Sequence, residues 1–227
     1  EASSESIVTD AFGVAIPAGY RRLRCAVVDG TKPYVYATYA SVKSTNKSRA
    51  IVKTRLIESG ATQNVFGSRT NSTTNGFAMN ISAAGYPYMQ YADTQASAAN
   101  EPNFLIKHQT ETHTYELNAN KGYVDGKLAH EWTASTFETA QRPLFGALRG
   151  FNSSTLYTSD AIELYELQYW ADASSSMTSH LLPYERISDG VIGFYDHVTD
   201  HFLTPLQGAF ASGGVLNIAE NANEIYK

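Results

Sequence analysis

The stretch Arg49-Ala-Ile-Val-Lys-Thr-Arg-Leu-Ile57 decides the fold class of this chain. Its even-numbered positions, from Ala50 to Leu56, form one mainly apolar set, and Lys53 and Arg55 project between them. Successive side chains of a strand point to opposite faces of a sheet, so this alternation places one set in a core and the other toward solvent. We therefore predict a half-buried strand of an antiparallel sheet.

The same period of two recurs along most of the chain. In Thr112-His-Thr-Tyr-Glu-Leu-Asn118 the odd-numbered positions are predicted to face inward, with His113 as a hydrogen-bonded core histidine. The following Asp125-Gly126 pair is typical of a two-residue hairpin turn. Further strands are predicted at 21–29, 33–39, 63–68, 75–81, 86–92, 102–108, 128–133, 143–148, 161–170, 178–182, 191–195 and 201–203. Short strands at this spacing predict an all-β, two-sheet antiparallel sandwich.

Composition excludes several classes of protein. The 227 residues are 43% hydrophobic and 17% charged, and the formal net charge is −5, so no basic field is present to attract nucleic acid. A single cysteine, Cys25, excludes an intramolecular disulfide framework and a cysteine-based zinc site, and its apolar neighbours predict a small buried side chain. No apolar run approaches the roughly 18 residues of a membrane span.

The two ends of the chain differ in pattern from its body. Residues 1–19 are polar and then alternating up to Pro17-Ala-Gly19, which predicts an N-terminal arm or linker. The body is predicted as one domain, a sandwich over residues 20–212. Residues 213–227 are predicted as a C-terminal arm.

Several stretches resemble the concanavalin A-like lectin and glucanase jelly-roll family, in particular the laminin-G-like domains of gut-bacterial and phage surface proteins. The most specific stretch is Pro183-Tyr-Glu-Arg-Ile-Ser-Asp-Gly-Val-Ile-Gly-Phe-Tyr-Asp196. The others are Tyr20–Leu23, Asp29–Thr38, Ala61–Arg69, His113–Asn118, Gly122–Lys127 and Thr133–Phe137. The resemblance covers about residues 20–205 and implies a jelly-roll architecture. Together with the tyrosine-rich strand and the lack of paired carboxylates described below, it leads us to expect a non-catalytic module located outside the cell or on its surface.

One tyrosine-rich strand suits carbohydrate binding. A sugar ring is bound by an aromatic face with amide or carboxylate groups beside it for the hydroxyls. Tyr86 and Tyr88 share one face of a predicted strand, Gln90 continues that face, and Asn80 lies on the neighbouring segment. These four residues are the predicted glycan site, and the alternative is that the tyrosines only pack the sheet.

Catalytic and metal sites find less support in the sequence. A glycosidase needs two convergent carboxylates, but Glu163 and Glu166 are three apart and are predicted to face opposite sides of their strand. The run from Asp196 to His201 is predicted as an exposed polar turn, not a metal site. The metal content stays unknown, and calcium is left open with oxygen ligands from Asp93, Asp125 or Asp160.

Two functions of different classes follow. The first is a carbohydrate-binding module for adhesion or for capture of a glycan or surface polysaccharide. The second is a structural subunit of a surface assembly, fibre or virion, which self-associates when its arms at 5–16 and 213–219 add strands to a neighbour. A glycan-active hydrolase is a third and weaker interpretation.

Overall fold

The computed structural model describes residues 8–58, 60–69, 76–97, 104, 111–149 and 156–216, and these residues form strands but no α-helix. The strands are β1 (Tyr20–Arg22), β2 (Ala26–Val28), β3 (Val35–Tyr36), β4 (Arg49–Leu56), β5 (Gln63–Arg69), β6 (Gly76–Ile81), β7 (Pro87–Ala92), β8 (Thr94–Ser97), β9 (Thr112–Asn118), β10 (Lys121–Val124), β11 (Lys127–Glu131), β12 (Leu144–Phe145), β13 (Ala147–Arg149), β14 (Leu156–Thr158), β15 (Ile162–Trp170), β16 (Ser179–Arg186), β17 (Ile192–Asp196), β18 (His201–Leu203) and β19 (Ala211–Ser212).

The strands form two sheets, which confirms the predicted all-β jelly-roll sandwich. The larger sheet has the order β11-β10-β9-β4-β15-β16-β17-β18, with β1 paired to β16, β2 to β15, and β19 to β2. The smaller sheet has the order β14-β13-β5-β6-β7-β8, with β12 joining β5 to β3. Pairing is antiparallel throughout the described strands except for one parallel bridge between Arg149 and Ser68.

The main core lies between the two sheets. Strand β4 alternates between half-buried and buried positions along its whole length, as its sequence predicts, and Val52 is fully buried. On the opposing sheet Phe66 and Met79 are also fully buried. The rings of Phe66 and Tyr169 lie 5.9 Å apart and join the sheets. Burial of this apolar surface is the main favourable term in folding.

The hairpin between β10 and β11 confirms the predicted turn. Asp125 and Gly126 have φ values of 50° and 75°, the left-handed pair that a type I′ turn requires. The Asp125 carboxylate accepts the Thr114 N–H and contacts Nδ1 of His113 at 2.8 Å. His113 is therefore the hydrogen-bonded, buried histidine that the alternation predicts.

Some predicted strands differ from the observed ones. The segment 21–29 is interrupted between β1 and β2, and 33–39 is reduced to the two residues of β3. The predicted strand 102–108 falls almost wholly outside the described residues. Cys25 lies in the interruption between β1 and β2 and is 3% exposed, which confirms its burial. Burial raises the pKa of its thiol to about 12.

The described part of the N-terminal segment, residues 8–19, lies on the larger sheet. Thr9 pairs with Ala15, and the side chains of Val14 and Ile16 pack on the face of β16 and β17 that points away from the core. The C-terminal side also pairs within the chain, through β19 and a bridge between Val215 and Leu23. The boundaries at 19 and 213 and strand addition to a neighbour both stay predictions. In the described ranges no helix is long and apolar enough to cross a membrane.

Candidate functional site

The four predicted glycan-binding residues lie on β6 and β7 or next to them, in the middle of the smaller sheet. Asn80 is the direct cross-strand partner of Tyr88, and Gln90 is the partner of Ala78. Tyr86 precedes β7 in the turn that follows β6. Because Phe77 and Met79 enter the core, the alternating Ala78 and Asn80 face away from it. We call this side of the sheet the outer face.

The structure buries the two amides and leaves the two tyrosines half-exposed. Asn80 and Gln90 are each 1% exposed, whereas Tyr86 and Tyr88 are in the intermediate range. Burial raises the pKa of Tyr88, and the positive charge of Arg69 partly opposes that shift. The predicted residues therefore form a recessed group in which the tyrosines are more accessible than the amides.

Both buried amides have polar atoms without a protein partner. Gln90 donates from Nε2 to the carbonyl oxygen of Ala92 at 3.1 Å, but its Oε1 has no partner. Asn80 has no partner at either Nδ2 or Oδ1. A buried polar group without a hydrogen bond costs about 1 to 3 kcal/mol, so such groups in a native protein call for an explanation such as a ligand or an ordered water.

A glycine positions the Gln90 side chain. A Cβ atom at Gly76, on the neighbouring strand, would lie 2.3 Å from Cδ of Gln90. A side chain at position 76 would therefore require the Gln90 side chain to move, and the glycine leaves room for Gln90 to lie across β6.

The structure adds two residues that the sequence prediction missed. The guanidinium carbon of Arg69, at the end of β5, lies 5.9 Å from the ring centroid of Tyr157 in β14. Burial lowers the pKa of Arg69, while Tyr88 and Tyr157 oppose that shift. Arg69 directly follows the predicted strand 63–68, so the alternation of that strand could have predicted which face its side chain occupies. Tyr157 lies in a segment that was not predicted as a strand.

A second concave region lies at the edge of the sandwich, where the smaller sheet ends at β8 and the larger sheet at β11. This cleft has a volume of about 570 Å³, and its lining includes Asp93, Gln95, His130 and Trp132. The Trp132 indole is 4% exposed, and its Nε1 has no partner. Trp132 packs in the main core, and no pattern in the sequence indicated the cleft beside it.

The prediction that Glu163 and Glu166 face opposite sides of β15 is wrong. Glu163 pairs with Arg55 and Glu166 with Lys53, and both partners belong to the non-core set of β4. The register shifts between Leu164 and Glu166, because a β-bulge inserts one residue and resets the alternation. A count of odd and even positions across a bulge therefore assigns one of the two glutamates to the wrong face of the strand.

Each of these two carboxylates is held by other side chains. Glu163 contacts Arg55 through both oxygens at 2.5 and 2.6 Å and accepts the Tyr165 hydroxyl at 2.6 Å. Burial tends to raise the pKa of Glu166, but hydrogen bonds from His180 and Gln168 outweigh it and leave that pKa lowered. A general acid of a glycosidase needs the opposite shift.

The run from Asp196 to His201 forms the turn between β17 and β18, as predicted, but its first residue is not exposed. Asp196 is fully buried and accepts hydrogen bonds from Ser179 Oγ, Thr199 Oγ1 and the His180 and Val198 N–H groups. The carboxylate organises the turn because it satisfies these four donors. His201, at the other end, is exposed and stacks on Tyr39 at 3.6 Å.

The described residues contain no cluster of three or more His, Cys, Asp or Glu side chains that could hold a metal ion. The three aspartates considered for calcium lie in different places. Asp93 is at the turn after β7, and the Asp125 carboxylate forms a hydrogen bond with His113. Asp160 lies just before β15 and accepts a hydrogen bond from Nε2 of Gln63. The question of calcium binding stays open.

Comparison with known proteins supports the fold. No family model and no curated protein sequence matches the chain. Among solved structures, a proposed carbohydrate-binding protein from Bacteroides ovatus matches at 11% identity with a TM-score of 0.57, over 87% of this chain and 62% of that one. The chain thus spans less than two thirds of the Bacteroides protein.

Two further structures are similar at lower scores. The CBM40 module of a Ruminococcus gnavus IT-sialidase matches at 14% identity and a TM-score of 0.42, over 69% of this chain and 93% of that one. Domains LG4-5 of the mouse laminin alpha1 chain match at 14% identity and a TM-score of 0.42, over 76% of this chain and 47% of that one. At these identities the likeness concerns the arrangement of strands and not the ligand.

Proposed function

We propose that this protein is a non-catalytic carbohydrate-binding module that acts outside the cell or on its surface and holds glycans on the outer face of its smaller sheet. The observation that carries the proposal is the group of Tyr88, Asn80 and Gln90. A half-exposed aromatic ring lies beside two buried amides that have unused hydrogen-bonding atoms. Sugar hydroxyls can donate to and accept from amides, and a tyrosine ring can cover the apolar side of a pyranose.

The fold and the comparison support this proposal. An antiparallel sheet can pack one face on the core and leave the other open to solvent, and the Bacteroides protein of similar fold is a proposed carbohydrate-binding protein. The alternative function, a structural subunit, gains no specific observation from the described residues.

The test is a glycan-array screen of the purified chain, run with calcium and repeated with chelator. We expect specific binding that is lost in Tyr88→Ala and weakened in Tyr86→Ala. Tyr39→Ala is the matched control, because Tyr39 is 50% exposed and stacks on His201, outside the strands of the smaller sheet. The chelator arm decides whether calcium takes part.

Two outcomes would overturn the proposal. A folded protein that binds no glycan would remove the function, and the terminal arms would then be the region to study. Binding that survives Tyr88→Ala but is lost in Gln95→Ala would move the site to the edge cleft between β8 and β11.

A further inference from the structure

The arginines of the smaller sheet differ from all those in the larger one. Each arginine in a described strand of the larger sheet is ion-paired with a carboxylate; the pairs are Arg21–Glu185, Arg22–Asp10, Arg49–Glu116, Arg55–Glu163 and Arg186–Asp189. The described strands of the smaller sheet contain no Asp or Glu. Arg69 and Arg149 lie in those strands, Arg142 lies just before β12, and none of the three has an ion pair within the described chain.

Two of these arginines converge on one tyrosine. The guanidinium carbon of Arg142 lies 3.6 Å from the ring centroid of Tyr36, and that of Arg149 lies 6.0 Å from it. Each guanidinium has a buried Nε without a partner, and Arg142 also donates to the carbonyl oxygen of Thr38. Burial lowers the pKa of Arg142, and the charge of Arg149 lowers it further despite the opposing effect of Tyr36. Two like charges are thus held together without a counterion among the described residues.

The pair lies on the same face as the proposed glycan site. One continuous row of cross-strand partners runs through Tyr36, Leu144, Gly67, Ala78 and Gln90. Directly paired residues of antiparallel strands point to the same side of a sheet. Four strand spacings of about 4.8 Å put Tyr36 and Gln90 roughly 19 Å apart, a span that suits an oligosaccharide better than a single sugar.

We infer that the ligand of this face is an acidic glycan whose carboxylate or sulfate group is held by Arg142 and Arg149. This inference rests on the proposed function and specifies its ligand. A partly buried guanidinium loses hydration, and an anionic oxygen restores both charge and hydrogen bonds through paired N–H groups. The net charge of −5 repels anions at long range, so this local pair, and not a general field, would select them.

The experiment compares charged glycans with their neutral forms on the full chain. The array carries uronic-acid oligosaccharides beside their methyl esters, and sulfated oligosaccharides beside their desulfated forms. We expect neutralisation to weaken binding roughly 10- to 100-fold, the value of one hydrogen bond to a charged group. The arm that shows the loss identifies whether the group is a carboxylate or a sulfate.

Variants connect this loss to the arginine pair. Arg149→Gln should weaken binding of the acidic glycan by a similar factor and leave binding of its neutral form unchanged. Arg21→Gln is the matched control, since it removes one positive charge from the larger sheet and should change neither. Thermal unfolding of each variant separates loss of binding from loss of folding.

The outcomes separate the two proposals. If neutral forms bind as tightly as acidic ones, or if Arg149→Gln and Arg21→Gln have equal effects, the inference is wrong and the carbohydrate-binding function stands. If no glycan binds, the proposed function itself fails. If acidic glycans bind more tightly than their neutral forms, and Arg149→Gln but not Arg21→Gln removes this difference, both proposals hold.

Discussion

The outer faces of the two sheets differ in whether their polar side chains have partners within the chain. On the larger sheet the polar groups are satisfied within the chain: five arginines have carboxylate partners, and residues 8–19 cover part of the face. On the smaller sheet Asn80, Gln90 and Arg149 have buried polar atoms without partners. A sequence selected only for stability would not leave such groups unpaired, because each costs free energy of folding. This difference is the basis of the proposal that the smaller sheet binds a ligand, whereas the ion pairs of the larger sheet contribute to the fold.

The strongest test of this contrast removes one arginine from each sheet. Arg22 is 2% exposed and pairs with the buried carboxylate of Asp10 at 3.3 Å. Arg22→Ala should lower the free energy of unfolding by about 3 to 5 kcal/mol, because it leaves that carboxylate buried without its counterion. Arg149→Ala, which breaks no ion pair, should cost no more than about 1 kcal/mol, the value of its contact with Tyr36. Urea denaturation measures both, and equal losses would contradict the division of roles.

A second test weakens a pair on the larger sheet without changing its shape. Glu163→Gln keeps the volume of the side chain but removes the charge that Arg55 contacts through two nitrogens. Hydrogen bonds to a charged group contribute about 1.5 to 3 kcal/mol, so we expect a loss of about 2 kcal/mol in urea denaturation. A loss below about 0.5 kcal/mol would mean that the pair behaves as a solvent-screened surface contact.

The pH dependence of stability should also come from the larger sheet. Burial, together with the nearby charges of His180 and Arg22, lowers the pKa of His197 from 6.5 to about 4. Between these values the unfolded chain binds a proton that the folded chain does not, so stability falls as the pH is lowered from about 6.5 to about 4. Because the ring is only half-buried, we expect a loss of about 1 kcal/mol after allowance for solvent screening.

The control for this prediction is His197→Gln, which cannot titrate and should flatten that part of the profile. The described strands of the smaller sheet contain no Asp, Glu, His or Lys. Glycan binding should therefore stay constant over the same range if the ligand does not titrate there. If glycan binding changes with pH in the same way as stability, the two sheets are coupled, and the contrast between their roles is weakened.

The smallest expected effect concerns one buried polar group on each sheet. Asn80→Leu removes an amide without partners and should leave the free energy of unfolding unchanged or raise it by up to about 1 kcal/mol, while it weakens glycan binding. Thr54→Val is the counterpart on the larger sheet, where the hydroxyl donates to the carbonyl oxygen of Glu163 at 2.6 Å. It should cost about 1 kcal/mol and leave binding intact. If Asn80→Leu is the more destabilising of the two, the amide has a structural role.

The sequence predicted local features best where one rule acts alone. The alternation of β4, the Asp125-Gly126 turn and the inward position of His113 each depend on residues close together in the chain. Glu163 and Glu166 show where the rule fails, since a bulge depends on how β15 meets β4 and leaves no mark in the spacing. The same holds for Asp196, whose burial depends on donors from β16.

Part of the candidate site could be predicted from the sequence. Asn80, Tyr88 and Gln90 were recognised because residue type and parity place Tyr88 and Gln90 on one face of β7, next to Asn80 of β6. Tyr86 was assigned to the same strand but lies in the turn before it. Arg142 and Arg149 were not, because they approach Tyr36 from segments about a hundred residues away in the chain. The edge cleft was missed for the same reason, as it forms where the last strands of two sheets meet.

The sequence by itself determined the fold class, because a period of two in apolar residues can be buried only by strands stacked in layers. Which polar groups are paired and which are left open was decided by the tertiary structure alone. Pairing requires two groups within a few ångströms, and in a sheet those groups come from strands that are distant in the chain. The contrast between the arginines of the two sheets, and with it the proposed ligand, exists only in the folded protein.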